Sequence, residues 1–554
     1  MTTTQPWVRH YQPGVHAEID IPTDSLVAMF DRAVAAGGDA VACEFFGATT
    51  TYASLADQVA RLADALRRVG VKQGDRVAIV LPNSPQHIVA FYAILRLGAV
   101  VVEHNPLYTA HELAGMFADH GARVAIAWDA SVAKLPPLDH VIAVNLLDAF
   151  PTLKRLALAL PVKKLRETRA RLHADAPGAT PWKTALKGSK LAASHPGPSV
   201  DDLAVIQYTS GTTGHFKGAM LTHLNLYANA LQGAAWMKDA VDGREVSYAL
   251  LPMFHAFGMT LYLTFGLLKR SRLVLFPTFD VDMVLDAAKK SPPTIYCAVP
   301  PIYDKTARRA AERGISLKTA KFCISGAMAL TDEIVNRWES VSGGLLVEGY
   351  GLTESSPVAL GNPFWPTRRT GTIGVPFPST LMRVVDPDDP TRDVPQGTPG
   401  ELLLKGPQVF GGYWNAPEET AASLLPDGWL RTGDLVTVDA DGFTTIVDRL
   451  KELIITGGFN VAPSEVEAEL LDHPDIADVA VVGIPDAVGG ERVVAAVVSA
   501  SGKELDTAEL RAWAKERLAA YKVPREFVTV PELPKSLLGK VLRKQVRDQL
   551  AQRA

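Results

Sequence analysis

The chain lacks the cysteine pattern of a secreted or zinc-bound protein. Its 554 residues include only three cysteines, Cys43, Cys297 and Cys323, which lie far apart without paired spacing. This scarcity excludes a disulfide framework and a cysteine-based zinc site, and it favours a reducing, cytoplasmic compartment. Residues 1–10 contain no apolar core of an export signal, so we expect no secretion.

The chain also lacks a strong net charge and an uninterrupted apolar run. Lys and Arg number 56 against 60 Asp and Glu, a formal net charge of −4, so no overall field attracts nucleic acid. The longest apolar stretch, 246–268, is interrupted by Pro252, His255 and several glycines, and no asymmetric basic loops flank it. We expect a buried core segment there rather than a membrane span.

Helix-like and strand-like patterns alternate along the N-terminal part of the chain. Apolar residues at helical spacing predict helices over 51–70 and 86–97, and short apolar runs predict strands at 77–81, 99–102 and 124–128. Thr109 and Glu112 have the spacing of a capping box at the start of another helix. This alternation predicts βαβ units and mostly parallel sheets.

The pattern changes twice towards the C-terminus. Between 361 and 447, short apolar runs separated by Pro, Gly and Asp predict a small β-rich subdomain. Beyond Asp448 an α+β pattern follows, with strands near 479–482 and 493–498 and a helix over 508–520. The predicted fold is therefore α/β, with a large N-terminal domain (1–447) of two mostly parallel subdomains plus the β-rich one, and a small C-terminal domain (448–554).

A loop rich in glycine and hydroxyls, 208–218 (YTSGTTGHFKG), follows the apolar run 203–206 and precedes a helix-like stretch. Glycine amides, threonine and serine hydroxyls and the Lys217 ammonium suit a phosphate group at such a strand-to-helix turn. No Gly-Lys-Ser/Thr follows at Walker A spacing, which weakens a kinase or P-loop ATPase interpretation. Taken alone, the segment could equally be an ordinary loop.

Four further motifs occur in a fixed order after this loop: 348–354 (EGYGLTE), 430–434 (LRTGD), 448–452 (DRLKE) and 534–540 (PKSLLGK). With the loop, they resemble the signature set of the adenylate-forming superfamily, which comprises acyl-CoA synthetases, luciferases and the adenylation domains of peptide synthetases. The resemblance runs from about Trp7 to about Gln549. Within the superfamily, 105–109 (NPLYT), 457–461 (GGFNV) and 533–536 (LPKS) are most similar to bacterial long-chain fatty acid–CoA ligases.

The resemblance implies ATP-dependent ligation of a fatty acid, of long chain, to coenzyme A through an acyl-adenylate, with release of AMP and pyrophosphate and with Mg²⁺ as cofactor. A carboxylate is a poor electrophile, and its adenylate supplies a leaving group. The acid itself attacks the α-phosphate, so positioning and electrostatics suffice. Accordingly, no Gly-x-Ser-x-Gly nucleophile motif is present.

The resemblance also assigns the residues of the ATP site. The β- and γ-phosphates would be held by Thr209, Ser210, Gly211, Thr212, Thr213, Gly214 and Lys217. The adenine pocket would comprise Ser325, Gly326, Ala327, Gly349, Tyr350 and Gly351. Thr353 would contact the α-phosphate, Glu354 would bind Mg²⁺, and Asp434, assisted by Arg449, would bind the ribose. Lys540 would bridge the substrate carboxylate and the α-phosphate.

The acyl and CoA sites follow from the same resemblance. His255 would lie near the incoming carboxylate, although an isolated histidine in an apolar segment is by default a hydrogen-bonded core residue. The acyl wall would include Phe257, Val299, Pro300 and Val358. For thioester formation the C-terminal domain would rotate about a hinge at Asp448, in an exposed charged segment, and a pantetheine tunnel would form partly from Gly457, Gly458 and Phe459.

Other functions remain open to different degrees. Gly349-x-Gly351 could be half of a dinucleotide fingerprint, but Glu354 stands where the third glycine belongs. No carrier domain follows Ala554, which argues against a peptide-synthetase module. An aryl- or medium-chain acyl-CoA ligase stays open. So does a non-catalytic nucleotide or acyl binder, because Phe216 stands where many relatives have proline in the phosphate loop.

The segment 151–173 differs from the rest of the chain. It carries seven cations and one acid, Glu167, among scattered leucines; the cations are Lys154, Arg155, Lys163, Lys164, Arg166, Arg169 and Arg171. A solvated surface insertion is the favoured interpretation, because Pro161 interrupts the periodicity. Peripheral contact with the inner face of the membrane remains open, since basic amphipathic segments bind anionic lipid.

Overall fold

The protein divides into two compact units, which are described separately. The computed structural model describes residues 5–210, 216–456, 459–485, 491–518, 520–536 and 539–552. The first unit comprises 1–381 and 404–430, and the second comprises 382–403 and 431–554. The segment predicted as one β-rich subdomain is therefore shared between the units. The predicted domain boundary and hinge at Asp448 remain predictions.

The first unit contains a seven-stranded sheet whose strands are parallel except at one edge. In spatial order, its strands are Thr180–Pro181, His140–Val144, Val124–Trp128, Arg76–Val80, Val100–Glu103, Leu203–Ser210 and Phe216–Thr222. Only Phe216–Thr222 runs antiparallel to its neighbour. The predicted parallel strands near 77–81, 99–102 and 124–128 are confirmed.

A second, nine-stranded sheet belongs to the same unit. Its spatial order is Val375–Pro376, Val358–Gly361, Leu346–Gly351, Phe322–Ser325, Ile295–Ala298, Val246–Ala249, Arg272–Leu275, Val41–Phe45 and Ala48–Thr51. The six strands from Leu346–Gly351 to Val41–Phe45 are parallel, and the outer ones are antiparallel. Two mostly parallel sheets were predicted for this region, and they are present.

Helices connect and cover these strands. The α-helices are Leu26–Gly37, Tyr52–Arg68, Pro85–Arg96, Ala110–His120, Asp129–Val132, Thr152–Leu158, Lys163–Leu172, Trp182–Ala185, His223–Trp236, Ala256–Gly258, Gly266–Leu268, Val281–Ala288, Pro300–Glu312, Asp332–Val341 and Pro417–Ser423. Short 3₁₀-helices lie at Pro6–His10, Leu146–Ala149 and Thr353–Ser355, and a π-helix lies at Met259–Phe265. The capping box predicted from Thr109 and Glu112 is confirmed at the start of Ala110–His120.

The surroundings of the glycine- and hydroxyl-rich loop differ from the prediction. The strand Leu203–Ser210 pairs antiparallel with Phe216–Thr222, with Ser210 opposite Phe216, so the loop joins two strands rather than a strand and a helix. The helix begins only at His223, where the side chain of Thr222 caps it. The prediction of a strand-to-helix turn is therefore wrong. The run FKGAMLT extends the sheet by one antiparallel strand before the helix starts.

The apolar stretch 246–268 is a core segment, as predicted. Its strand Val246–Ala249 lies inside the nine-stranded sheet, and every residue of the π-helix Met259–Phe265 is buried. Among the described helices, none has both the length and the apolarity that crossing a membrane requires.

The second unit is built from three small sheets. Most of a four-stranded sheet lies in it, with strands in the order Leu381–Val385, Gly400–Lys405, Leu430–Val438 and Thr444–Arg449. Ile454–Thr456 pairs with Phe459–Val461, and a three-stranded sheet has the order Ile476–Pro485, Glu491–Ser499 and Glu526–Thr529. A 3₁₀-helix lies at Leu450–Glu452, and the α-helices are Pro463–Leu471, Thr507–Arg517 and Arg543–Ala551.

Both faces of the three-stranded sheet are buried, which explains its continuous apolar sequence. Val479 and Val481 pack on one face with the helices Pro463–Leu471 and Thr507–Arg517. The alternate residues Ala480 and Val482 pack on the other face with the helix Arg543–Ala551. The α+β pattern predicted beyond Asp448 is confirmed. The second core anchors the helix that immediately follows Lys540.

Candidate active site

Most of the residues predicted to bind adenine or the acyl chain line a single cleft of the first unit. It encloses about 890 Å³ of empty space, part of it open to solvent. The predicted residues that line it are His255, Phe257, Gly326, Ala327, Gly349, Tyr350, Gly351, Thr353 and Val358. Residues predicted for two different ligands therefore share one cleft.

The carboxyl ends of two parallel strands form part of this cleft. Gly326 and Ala327 follow the strand Phe322–Ser325, and the strand Leu346–Gly351 ends beside them. Ligands of parallel α/β sheets bind at such strand ends. Gly351 must be glycine, because a Cβ there would lie 1.9 Å from the Pro357 carbonyl oxygen.

Much of the remaining cleft lining is apolar, and sequence reasoning missed most of these residues. The additional apolar lining residues are Gly233, Trp236, Met237, Leu261, Phe265 and Phe377. They come from the helix His223–Trp236 and its end, the π-helix and a loop, which no short motif marks as one wall. Val299 and Pro300 are buried but do not line this cleft, so their predicted acyl role receives no support from its geometry.

His255 also lines this cleft. Its Nδ1 accepts a hydrogen bond from the Phe257 amide at 3.3 Å, at the start of the helix Ala256–Gly258. The ring is exposed to the cleft, and loss of hydration in this recess lowers its pKa below the usual value. The imidazole is therefore neutral at pH 7 with its proton on Nε2, which can donate to a carboxylate.

Thr353 and Glu354 occupy the 3₁₀-helix that follows the strand Leu346–Gly351. The Oε1 atom of Glu354 accepts a hydrogen bond from the Tyr413 hydroxyl at 2.6 Å, and its carbonyl oxygen accepts the Phe410 amide at 2.9 Å. Sequence reasoning missed Tyr413, although the segment GGYWNAPEET that contains it groups two aromatic residues with two glycines.

Glu348 is a second carboxylate of this cleft. Burial raises its pKa to about 7, and the amide of Gly371, which donates to Oε2 at 3.0 Å, opposes this shift. Near neutral pH this group is therefore partly protonated, which limits the negative charge next to the predicted nucleotide pocket.

The described residues cover the predicted phosphate loop only in part. Thr209 and Lys217 are opposite each other in the hairpin, so both belong to the strands that flank the loop. Ser210 is described by its backbone alone, as the last residue of its strand. Gly211, Thr212, Thr213 and Gly214 lie outside the described residues, and their phosphate role stays a prediction.

In the second unit, Asp434 and Arg449 lie opposite each other on adjacent strands. Arg449 Nε is 3.1 Å from Asp434 Oδ1, and Asp434 is buried. Glu401, which sequence reasoning missed, accepts two hydrogen bonds from the Arg431 guanidinium and one from the Gly433 amide. A single acid in the apolar run GELLLK is a signal for such a partner, because a buried charge requires one. Glu401 thereby fixes the turn that presents Asp434.

Lys540 is close enough to this pair for the charges to interact. Burial lowers its pKa most, and the Arg449 guanidinium lowers it further, while Glu452 and Asp434 oppose the shift. Its amide donates to Ser536 Oγ at 3.1 Å, and the Ser536 amide donates to the Lys540 carbonyl oxygen at 2.7 Å. Inside the second unit, three predicted site residues, Asp434, Arg449 and Lys540, are thus brought together.

Asp448, the predicted hinge residue, is buried rather than exposed. Its carboxylate accepts hydrogen bonds from the amides of Arg449 at 2.7 Å and Ser464 at 2.9 Å. Arg543 Nη1 lies 4.0 Å from Oδ1. The expectation of an exposed segment is therefore wrong for Asp448, because its carboxylate links the end of the strand Thr444–Arg449 to the first turn of the helix Pro463–Leu471.

Two sequence profiles match this chain. Residues 30–414 match the AMP-binding enzyme family, and residues 465–540 match the C-terminal domain of AMP-binding enzymes. The chain belongs to the AMP-binding enzyme family.

Individual members of this family resemble the chain over almost its entire length. A long-chain-fatty-acid–CoA ligase of Bacillus subtilis is 38% identical over 560 residues, covering 99% of both chains. A feruloyl-CoA synthase of Amycolatopsis is 36% identical, covering 92% of this chain and 95% of the relative. The structure of ATP-bound MatB from Rhodopseudomonas palustris has a TM-score of 0.78 at 30% identity, covering 95% of this chain and 99% of MatB.

The two matched ranges include residues of both units.

The described residues offer few ligands for a metal ion. Among the described residues, no group of three or more His, Cys, Asp or Glu side chains could hold a metal ion. Glu354 is a single carboxylate, which fits Mg²⁺, since this ion is commonly bound by one or two carboxylates together with substrate phosphates.

The predicted CoA loop is the least described part of the site. Gly457 and Gly458 lie outside the described residues, and Phe459 is described only as the first residue of the strand Phe459–Val461, paired with Thr456. Their role in a pantetheine tunnel stays a prediction.

Proposed function

We propose that this protein is a long-chain fatty acid–CoA ligase that works through an acyl-adenylate. The observation that carries the proposal is the cleft of the first unit, whose lining combines residues of the adenine motif, His255 and a large set of apolar side chains. A nucleotide and a hydrocarbon chain require such neighbouring polar and apolar surfaces.

In the first half-reaction, a carboxylate oxygen of the acid attacks the α-phosphorus of ATP. A new P–O bond forms, the bond to the β-phosphate oxygen breaks, and pyrophosphate leaves. His255 Nε2–H and the Lys540 ammonium would hold the carboxylate against repulsion by the phosphates. Thr353 would donate to the α-phosphate, and Asp434 would accept two hydrogen bonds from the ribose diol.

Mg²⁺ is the expected counterion of the ATP phosphates. When bound, it neutralises charge on the phosphate oxygens. In this chain Glu354 would hold it, because its Oε1 is already engaged by Tyr413 and its second oxygen remains as a ligand. Lys217 and the hydroxyls of the phosphate loop would hold the remaining phosphate charge.

In the second half-reaction, the CoA thiolate attacks the acyl carbon, and AMP leaves. Lys540 must first withdraw, because the thiolate needs the space beside the acyl-phosphate bond. A rotation about Asp448 would remove Lys540 and bring the loop at Gly457 and Gly458 towards the site.

The two half-reactions can be measured separately. Incubation with palmitate, Mg²⁺-ATP and radioactive pyrophosphate should exchange label into ATP without CoA, and addition of CoA should yield palmitoyl-CoA and AMP in equal amounts. A protein that binds ATP and palmitate but catalyses neither step would be the non-catalytic binder.

Chain length can be argued from the apolar wall. Each buried methylene contributes about 0.8 kcal/mol, so ten more methylenes favour a long chain by at most about 8 kcal/mol. Aryl and medium-chain acids are the second candidate class, since a feruloyl-CoA synthase is among the full-length relatives. A comparison of palmitate, octanoate and ferulate in the exchange assay separates these classes.

Replacing Gly233 with leucine should shift the preference towards shorter acids. A Cβ at this position would meet the Phe265 ring at 3.5 Å, an ordinary contact, so the rest of a leucine side chain would occupy the cleft. Excluding two or three methylenes should lower kcat/KM for palmitate relative to octanoate by about 15- to 50-fold. Gly233→Ala serves as the control and should change this ratio much less. An unchanged ratio in Gly233→Leu would show that the acyl chain lies elsewhere.

We further propose that the enzyme is cytoplasmic and docks on anionic membranes through residues 151–173. The helix Lys163–Leu172 has no buried residue, although most short helices are stabilised by burying an apolar face. Four apolar side chains next to it are exposed: Leu153 (82%), Leu156 (60%), Leu160 (52%) and Val162 (50%). Together with the cations, they fit the interface of an anionic bilayer, from which fatty acids can be extracted.

Neutralising part of this segment should weaken its binding to liposomes. Substituting Lys163, Lys164, Arg166 and Arg169 with glutamine should lower binding to phosphatidylserine-containing liposomes on the order of 10²- to 10³-fold, since each cation near such a surface contributes about 1 kcal/mol. The matched control replaces four exposed lysines elsewhere: Lys289, Lys290, Lys318 and Lys503. Equal binding by both variants in a sedimentation assay would contradict the docking proposal and favour a solvated insertion.

A further inference from the structure

Tyr413 connects Glu354 to a neighbouring part of the first unit. Its side chain is buried, and its hydroxyl donates to Glu354 Oε1 at 2.6 Å. Three residues earlier, the Phe410 amide donates to the Glu354 carbonyl oxygen at 2.9 Å. Glu354 is thus held through its backbone and its carboxylate by one short segment, 410–414, which we call the brace.

The brace is also attached to the strand that leaves the phosphate loop. The Met220 amide donates to the Gly412 carbonyl oxygen at 2.9 Å, and the Trp414 amide donates to the Gly218 carbonyl oxygen at 2.7 Å. Ala219 and Tyr413 form an antiparallel bridge. The brace therefore extends beside the strand Phe216–Thr222 and fixes the position of Glu354 relative to it.

The ring of Tyr413 faces the lysine of that strand. Lys217 Nζ lies 5.2 Å from the ring centroid, within the range of a cation–π interaction. One side chain consequently contacts both the cation predicted for the β- and γ-phosphates and the carboxylate predicted for Mg²⁺.

The backbone of Tyr413 is held as well. Its amide donates to Thr420 Oγ1 at 2.9 Å, and the Thr420 hydroxyl donates in turn to the Ala416 carbonyl oxygen at 2.8 Å. In the side-chain contact the phenol is the donor and Glu354 Oε1 is the acceptor, at 2.6 Å. The backbone contacts therefore hold Tyr413 in place, and its hydroxyl donates to Glu354 from a fixed position.

A carboxylate with one oxygen engaged by a fixed donor cannot rotate freely. The engaged oxygen, Oε1, determines where Oε2 points, and an outer donor of this kind commonly changes metal affinity by 10- to 100-fold. We propose that Tyr413 is a positioning residue for the metal-dependent step: its hydroxyl orients Glu354 towards Mg²⁺-ATP, and its ring orients Lys217. The inference rests on the proposed role of Glu354.

Tyr413→Phe removes the hydroxyl and keeps the ring. We expect the Mg²⁺ concentration for half-maximal adenylation to rise about 10- to 100-fold, with kcat largely restored at saturating Mg²⁺. Independently of turnover, Mn²⁺ binding in the presence of α,β-methylene-ATP, measured by water-proton relaxation, should weaken by a similar factor. This analogue cannot release pyrophosphate, so the measurement reports the ground-state complex alone.

Two other variants separate orientation from packing. Tyr248→Phe is the matched control, because it likewise removes one buried tyrosine hydroxyl. The Tyr248 hydroxyl donates to the Ser291 carbonyl oxygen at 2.8 Å rather than to Glu354. Tyr413→Leu removes the ring too, so it should additionally weaken binding of metal-free ATP through Lys217. Tyr413→Phe combined with Glu354→Gln should lose no more metal affinity than Glu354→Gln alone.

The results distinguish failure of the inference from failure of the proposed function. A wild-type enzyme without Mg²⁺-dependent adenylation would contradict the proposed function itself. If the wild type is active and Tyr413→Phe keeps the metal dependence of Tyr248→Phe, or if its loss adds fully to that of Glu354→Gln, the positioning role of Tyr413 is overturned.

Discussion

Lys540→Ala will lower acyl-adenylate formation by about 10²- to 10³-fold, comparable with removing one donor from an oxyanion site. The side chain lies close enough to Asp434 and Arg449 for their charges to interact. In the proposed mechanism its ammonium would bridge the substrate carboxylate and the α-phosphate. Exchange of pyrophosphate into ATP measures the loss. Thioester formation from supplied acyl-adenylate should be nearly unchanged, because Lys540 has to leave before the thiolate attacks.

Lys535→Ala is the matched control for this variant. Lys535 precedes Lys540 by five residues and pairs with Asp478 at 2.6 Å on the surface of the same unit. Its loss should leave both half-reactions near the wild-type rate. Comparable loss of adenylation in both variants would indicate a damaged fold rather than a missing catalytic cation.

The pH profile provides a second test of Lys540. Because burial and Arg449 lower its pKa, Lys540 should lose its proton at a lower pH than an ordinary lysine. The protonated form is the one that binds two anions, so adenylation should decline as the pH rises through this lowered pKa. The residual activity of Lys540→Ala should lack that alkaline decline.

Asp448→Pro will slow thioester formation on the order of 10²-fold while lowering adenylate formation only modestly. Proline fixes φ near −65° and would restrict the rotation that the second half-reaction requires. The measurement is a single-turnover experiment in which the acyl-adenylate forms first and CoA is then added. Equal loss of both half-reactions would refute the hinge assignment.

The burial of Asp448 makes a second variant necessary. Its carboxylate bonds the amides of Arg449 and Ser464, so any substitution also removes these two contacts. Asp448→Ala loses the contacts but keeps backbone freedom. We expect Asp448→Ala to perturb both half-reactions modestly, and only Asp448→Pro to separate them.

Local rules predicted most of the fold. The helix Tyr52–Arg68 follows from apolar spacing, and the start of Ala110–His120 follows from the capping box of Thr109 and Glu112. The parallel strands follow from short apolar runs between helices. These signals work because each depends on residues within one or two turns of the chain.

Features that depend on distant residues were not predictable. Tyr413 and Glu354 are 59 positions apart in the sequence, and Arg431 and Glu401 are 30 positions apart. Neither pair therefore forms a short sequence motif. The sequence predicts a strand-to-helix turn at the phosphate loop, instead of the hairpin, because the added strand Phe216–Thr222 lacks clear alternation of apolar and polar residues. The sequence predicts an exposed Asp448 because charged residues are usually exposed. Its burial depends on hydrogen bonds from two backbone amides, which no sequence pattern indicates.

The two halves of the candidate site differ in how the sequence reveals them. The motifs assigned to the nucleotide are short, because a phosphate site can be built from backbone groups and a few side chains. The apolar wall combines Gly233, Trp236 and Phe377 from separated segments, and only their packing shows that they face one cleft. A sequence therefore reveals the adenylation chemistry more readily than the acid it accepts.

The account is tested most directly by isolating the intermediate. The purified protein, incubated with palmitate and Mg²⁺-ATP in the absence of CoA and then quenched, should yield palmitoyl-AMP and pyrophosphate in an amount near that of the enzyme. Addition of CoA before the quench should convert this intermediate to palmitoyl-CoA and AMP. Thioester formation without any adenylate, or no release of pyrophosphate with palmitate, would contradict the account.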